Sequence, residues 1–298
     1  RRRARACTIY ARARTTLAAP VRIEGAGLFT GAPASVSIEP AERPGDGIVL
    51  HRDGVRFAAE FAALSAVPAH PAFARMPARN TTLGARNDGP IVHTVEHLLA
   101  ALAGLGISDA VVRAETDELP IGDGSACLFT DPITDAGVRT LSHETVEPIR
   151  VRSPIRVERD GASITIEPSD GVEFIYRLDY GPGSPIPPGE ASWDGSVDAF
   201  VRGIAPARTF CLLAEAEAMH AMGLFEHLTP RDMLVFGPEG PIDNTLRFAD
   251  EPARHKLLDL IGDLSLAGRP ILGRVVAERS GHALTHEAVG RLRAVIDA

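Results

Sequence analysis

The sequence predicts an α+β fold built from two similar domains, on three observations. Strand-like segments precede helical ones in each half, which favours α+β layers over a doubly wound sheet. The segment Ala34-Ser35-Val36-Ser37-Ile38-Glu39-Pro40 is echoed by Ala162-Ser163-Ile164-Thr165-Ile166-Glu167-Pro168. Both alternate apolar with polar and stop at a proline, as half-buried strands do. A chain of 298 residues also has room for two units of roughly 150 residues, each able to bury a core.

In order, strands are expected near 20–27, 34–39 and 47–52, then a helix near 94–103 that Thr94 caps and Gly104 ends. A strand from Asp109 to Glu115 and a turn over 121–125 complete the first half. The second half repeats strands near 149–157, 162–167 and 173–178. Helices follow near 195–203, 213–222 and 251–267, then a strand at 271–279 and a last helix from about 286. The domains expected are 15–143 and 144–298, joined near Leu141 to Pro148. Residues 1–14 form a basic leader, expected to be disordered and lacking the apolar stretch of a signal peptide. Residues 223–244 read as an irregular insert, and long inserts of this kind are often functional.

Composition narrows the function. The net charge of −8 argues against a nucleic-acid groove, which needs clustered positive charge. No apolar run reaches the ~18 residues that a membrane span needs. Cys7, Cys127 and Cys211 are odd in number and form no CxxC pair, which fits a reducing cytoplasm better than a disulfide framework. Of the 31 basic residues, only Lys256 is lysine. Arginine and lysine are not interchangeable as charge partners, so the lone ammonium beside His255 points to that segment.

The segment Asp250 to Gly268 carries the strongest argument. Asp250 suits an N-cap, Pro252 suits the first turn and Gly268 a helix end. Leu257, Leu258, Leu260, Ile261, Leu264 and Leu266 spread apolar surface around most of the helix, the pattern of a buried one. Yet His255, Asp259 and Asp263 recur every four residues as one polar stripe. Unpaired buried carboxylates cost several kcal/mol, and a divalent cation would satisfy His255 and Asp259 together. The adjacent Glu96 and His97 point roughly 100° apart at the start of an apolar helix, so one can bind metal while the other faces a reacting water. His282 lies where a strand gives way to a loop, and a neighbouring Asp263 would keep it protonated to higher pH, as a general acid requires. Taken singly, each has a plainer reading. His255 and Asp259 could face solvent or the other domain, Glu96 could serve only the helix dipole, and His97 and His282 could be ordinary histidines.

Together these segments resemble the UDP-3-O-acyl-N-acetylglucosamine deacetylases, zinc amidases of lipid A synthesis. The resemblance runs from about Thr15 to the C-terminus. It rests on Gly25-Ala26-Gly27-Leu28-Phe29-Thr30-Gly31, on Thr94-Val95-Glu96-His97-Leu98-Leu99-Ala100-Ala101-Leu102-Ala103-Gly104-Leu105-Gly106 and on Pro120-Ile121-Gly122-Asp123-Gly124-Ser125-Ala126. It continues through Ala207-Arg208-Thr209-Phe210, Arg254-His255-Lys256-Leu257-Leu258-Asp259, Ile261-Gly262-Asp263-Leu264 and Ser280-Gly281-His282-Ala283-Leu284. It implies a layered pair of α+β domains with the site between them, and zinc held by His97, His255 and Asp259. Glu96 would be the base, His282 supported by Asp263 the acid, and Thr209 the stabiliser of the oxyanion. Lys256 and Phe210 would contact the substrate, a UDP-linked acylated amino sugar that brings the enzyme transiently near a membrane. The sequence departs from the family after Gly223-Leu224, where Phe225-Glu226-His227-Leu228-Thr229-Pro230 replaces the usual Gly-Gly pair in the region expected to pass the acyl chain. Two other classes remain open at this stage. One is a metal-dependent sugar-phosphate dehydratase, which would use more histidine ligands. The other is an inactive metal-stabilised binding protein, which would need neither Glu96 nor His282.

Overall fold

A computed structural model describes residues 12–75, 78–85 and 89–296. The first half contains β1 (Arg12–Leu17), β2 (Val21–Ala26), β3 (Pro33–Pro40), β4 (Ile48–Arg52), β5 (Val55–Ala58), β6 (Thr82–Gly84) and β7 (Ile91–His93). Helix α1 (Glu96–Gly104), β8 (Ala110–Ala114), α2 (Cys127–Ala136) and β9 (Val138–Val146) follow. The second half contains β10 (Ile149–Arg150), β11 (Ile155–Arg159), β12 (Ala162–Glu167), β13 (Val172–Leu178), β14 (Gly189–Trp193), α3 (Val197–Gly203), β15 (Phe210–Leu212) and α4 (Leu213–Ala221). It ends with β16 (Leu234–Gly237), β17 (Gly240–Pro241), α5 (Glu251–Leu264), β18 (Ile271–Glu278) and α6 (His282–Ile296).

The fold is α+β, and its two main sheets share one plan. The first runs β2-β3-β8-β4-β5 and the second β11-β12-β18-β13-β14, with β10 added beside β18. In each order the third and fourth strands pair in parallel and the other neighbours antiparallel. The two echoed sequence segments fall in β3 and β12, the second strand of each order. Their alternation is one of burial: Val36 and Ile38 in β3, and Ile164 and Ile166 in β12, are fully covered.

Helix α5 lies against β13 and β14, α6 against β11 and β12, and α1 packs on α5. One continuous apolar core joins Val36 and Ile38 through Leu98 and Leu102 to Leu257, Ile261 and Val275. Burying charge in such a core demands pairing, and the chain places most of its buried carboxylates and histidines where α1, α5 and the start of α6 meet.

Several expectations need correction. Thr94 does not cap α1; it sits before the helix with φ +61, and Val95 occupies the cap position without a side-chain bond. Asp250 does occupy the N-cap of α5, as expected, but its carboxylate makes no cap bond and instead accepts from Arg254 Nε at 2.6 Å, one turn on. The last helix begins at His282 rather than 286, so His282 belongs to its first turn and not to a loop. Part of the insert is regular, since β16 is fully buried and pairs with β15. Of the basic leader, residues 1–11 lie outside the described residues, while Arg12–Arg14 belong to β1 and pair with β9. The strand β5 was not anticipated, although Asp53-Gly54, both at positive φ, is a two-residue hairpin signal that Asp160-Gly161 repeats between β11 and β12.

Candidate active site

Close approach of α1 and α5 assembles the centre. Gly262 permits it, because a Cβ there would lie 2.2 Å from the carbonyl oxygen of Glu96. His97 then faces His255 with ring centroids 5.1 Å apart. Asp259 Oδ1 stands 3.4 Å from His255 Nε2 and 3.5 Å from His97 Nε2. All three residues are buried.

These separations test whether a metal fits. His255 Nδ1 lies 3.2 Å from the carbonyl oxygen of Ala207 and can only donate to it. Burial lowers the pKa of His255 to about 3, against the opposing pull of Asp259, so the ring is neutral and its single proton sits on Nδ1. Its Nε2 therefore turns a lone pair toward a carboxylate oxygen. A cation between these two buried acceptors would satisfy both. Ligand atoms ~2.1 Å from a tetrahedral zinc stand about 3.4 Å apart, which the observed spacing matches. The second oxygen of Asp259 is 2.8 Å from Lys256 Nζ. Burial opposes the charge of Asp259, but the Lys256 ammonium beside it outweighs that and holds the carboxylate well below the usual range. His97 Nδ1 has no hydrogen-bond partner among the described residues.

A second group, Asp263, His282 and His286, also clusters, but His282 and Asp263 in it are directly hydrogen-bonded. His282 Nδ1 is 2.8 Å from Asp263 Oδ2, closer than two ligands across an ion. Burial alone would lower the pKa of His282, yet Asp263, Asp259 and Glu96 raise it to about 9. The same partnership carries Asp263 below its ordinary value despite its own burial, with help from His286. Glu96 moves the other way. Burial raises its pKa, and the nearby His282 and His97 only partly offset that. A carboxylate pushed up and an imidazole pushed up in one cleft form an acid–base pair suited to near-neutral pH.

The site opens into a cavity of about 530 Å³ whose walls include Glu96, His97, His255, Asp259 and His282 at one end. Thr209, Phe210 and Lys256 line it as well. Thr209 is fixed by its N–H to Gly124 O at 2.8 Å and by the buried pair beside it, where Arg208 Nε meets Glu251 Oε1 at 2.8 Å. The Phe210 ring stands edge-on to His255 at 6.1 Å. Toward the far end the wall is apolar, with Phe29, Phe73 and Met219 in a small separate cluster that Phe225 joins.

Thus Glu96, His97, Thr209, Phe210, His255, Lys256, Asp259 and His282, from separate stretches of the chain, come to one cleft, with Asp263 bonded to His282. Sequence reasoning missed Thr81, whose N–H donates to Glu96 Oε2 at 2.9 Å and whose hydroxyl contacts Asp263. It missed His286 and the Arg208–Glu251 pair too. His286 lies one helical turn beyond His282, a spacing that could have flagged it; no local pattern marks Thr81.

Comparison with known proteins finds relatives along nearly the whole chain. The UDP-3-O-acyl-N-acetylglucosamine deacetylase of Chlamydia trachomatis serovar L2 is 38% identical over 273 residues, 91% of this chain and 92% of the relative. The deacetylase of the same name from Chlamydia caviae is 36% identical over 281 residues, 94% of this chain and 96% of the relative. A family described as UDP-3-O-acyl N-acetylglycosamine deacetylase matches residues 14–294. With a match of that extent and relatives of that similarity, the chain belongs to the UDP-3-O-acyl N-acetylglycosamine deacetylase family.

Proposed function

We propose that the chain is a zinc-dependent deacetylase that removes the acetyl group from UDP-3-O-acyl-N-acetylglucosamine, leaving the free amine and acetate, in lipid A synthesis. The observation that carries the reading is the lone pair of His255 turned on Asp259 Oδ1 beside His97. His97, His255 and Asp259 would hold the zinc. A Lewis acid there polarises the acetamide carbonyl and makes water a competent nucleophile near neutral pH.

The proton transfers fall to the chain itself. Glu96, oriented by the Thr81 N–H, takes the proton from the attacking water. His282, with Nδ1 committed to Asp263, keeps Nε2 for the departing amine and is protonated at neutral pH because its pKa is about 9. The two transfers contribute about 10²–10⁴-fold each. Thr209 donates toward the oxygen on which charge develops, and Lys256 and Phe210 contact the substrate. Lys256 is also tied to Asp259, so it couples that contact to the ligand carboxylate. The acyl chain follows the apolar wall of Phe29, Phe73 and Met219.

Residues 15–143 and 144–298 act as the two domains, each contributing one of the matching sheets, with the site between them. No helix among the described residues is long and apolar enough to cross a membrane. A UDP-linked substrate and the free thiols of Cys127 and Cys211 favour a cytoplasmic enzyme that meets the membrane only through its acylated substrate.

An acetate-release assay on UDP-linked, acylated N-acetylglucosamine tests the reading. Acetate should form, stop on chelation and resume with zinc, and metal analysis should give about one zinc per chain, as a three-ligand site implies. Absence of acetate release, or of tightly held zinc, overturns it.

A further inference from the structure

Thr81 touches the base Glu96 and the carboxylate that holds the acid His282 at once. Its backbone N–H donates to Glu96 Oε2 at 2.9 Å, while its hydroxyl contacts Asp263 Oδ1 and lies 2.9 Å from His286 Nε2. His286 itself is 3.7 Å from Asp263 Oδ1, beyond hydrogen-bond reach, so Thr81 stands between them. Thr81 is fully buried, and the His286 side chain is 12% exposed.

Proton accounting fixes the direction of this chain. Asp263 is ionised, because His282, hydrogen-bonded to it, outweighs its burial with help from His286 and holds it below the ordinary carboxylate range. An ionised carboxylate only accepts. Its Oδ2 takes the Nδ1 proton of His282, and its Oδ1 takes the single hydroxyl proton of Thr81. With that proton spent, the contact at 2.9 Å to His286 is a hydrogen bond only if His286 Nε2 carries a proton and donates it to the Thr81 oxygen.

We propose that Thr81 and His286 are positioning residues for the deacetylation, a relay running from His286 Nε2–H through the Thr81 hydroxyl to Asp263 and His282. The relay holds both oxygens of Asp263, so the carboxylate cannot rotate away from His282. It also locks the Thr81 backbone against Glu96, which sets the base and the acid relative to each other. The first two turns of α6 supply the two histidines, so the helix start is aimed at Asp263 twice, once directly and once through Thr81. The inference rests on the deacetylase reading given above, and its test separates the two.

Two measurements decide it. The first is ring-¹⁵N correlation spectroscopy on histidine-labelled, metal-free protein, where His286 should carry its proton on Nε2; a bare Nε2 overturns the relay. The second is steady-state acetate release. Thr81→Val and His286→Leu should each lower kcat on the order of 10-fold, the scale for one hydrogen bond to a charged group, with KM within about twofold. Thr81→Ser and His286→Gln, which restore a hydroxyl and an N–H donor, should recover most of the loss. The double variant Thr81→Val/His286→Leu should be no slower than the worse single variant, since both break one chain. An unchanged kcat in His286→Leu, or equal losses in His286→Leu and His286→Gln, also overturns the proposal. If the wild-type chain releases no acetate, the deacetylase reading fails while the tautomer of His286 still decides the relay.

Discussion

Gly262 and Glu96 meet through their backbones: a Cβ on Gly262 would lie 2.2 Å from the Glu96 carbonyl oxygen and 3.2 Å from its Cα. This contact lets α5, which carries His255 and Asp259, approach α1, which carries His97. The obstructing atoms belong to backbone and cannot swing aside. Gly262→Ala should therefore cost about 1–3 kcal/mol, the usual range for overpacking, and also weaken metal retention by spreading the ligands. Denaturant titration and metal analysis of the purified variant check both; wild-type stability together with full zinc would show that the helices can slide apart freely.

Glu96 faces the centre without being counted among its ligands. Glu96→Gln preserves the shape and the contact to Thr81 but cannot take up a proton. It should retain zinc and lose on the order of 10²–10⁴-fold in kcat. Loss of zinc in this variant would transfer Glu96 from base to ligand.

The pH profile follows from two shifts. Glu96 must be ionised to act as base, and burial raises its pKa above the ordinary 4.5. His282 must be protonated to act as acid, and its pKa lies near 9. Activity should rise through a limb displaced upward from ordinary carboxylate titration and fall near pH 9, with His282→Gln removing the alkaline fall. The same raised pKa bears on stability. A histidine lifted from 6.5 to about 9 stabilises the fold fully below 6.5, and that contribution disappears as pH rises through 9. Thermal melting of the metal-free chain should show the decline over this window, and it should be flatter in His282→Gln.

Phe225 and Leu228 line the cavity, and Phe225 packs against Phe29 with centroids 5.7 Å apart. Replacing either with alanine should change the preferred acyl length by a few methylenes, each worth about 0.8 kcal/mol when buried. Zinc content should stay at the wild-type value. Competition between substrates of different acyl length gives the readout, and an unaltered preference would place the acyl chain elsewhere.

How much of the site was legible depends on the range of the signal. His255, Asp259 and Asp263 were visible as a polar stripe because helix periodicity is a local property, and their burial followed from the leucines around them. Glu96 and His97 were visible as adjacent polar groups at the head of an apolar helix. The Thr94 cap was misread and the Asp250 cap was right only in position, since both side chains have other partners, Glu118 and Arg254, and capping depends on which partner is nearer. Thr81 was invisible, for its importance lies in contacts to Glu96, Asp263 and His286 that no spacing encodes.

The sequence by itself determined the α+β class, the repeated strand in each half and the buried helix whose charges demanded a partner. Only the tertiary structure decided that His97 reaches Asp259 across two helices, that His255 turns a bare nitrogen toward the same oxygen, and that Asp263 is held from both sides. The division has a physical cause. Periodicity and turn chemistry act over a few residues and are written in the order of the chain. Pairing of buried charges acts through space, between segments that meet only where a glycine leaves room for two helices to touch.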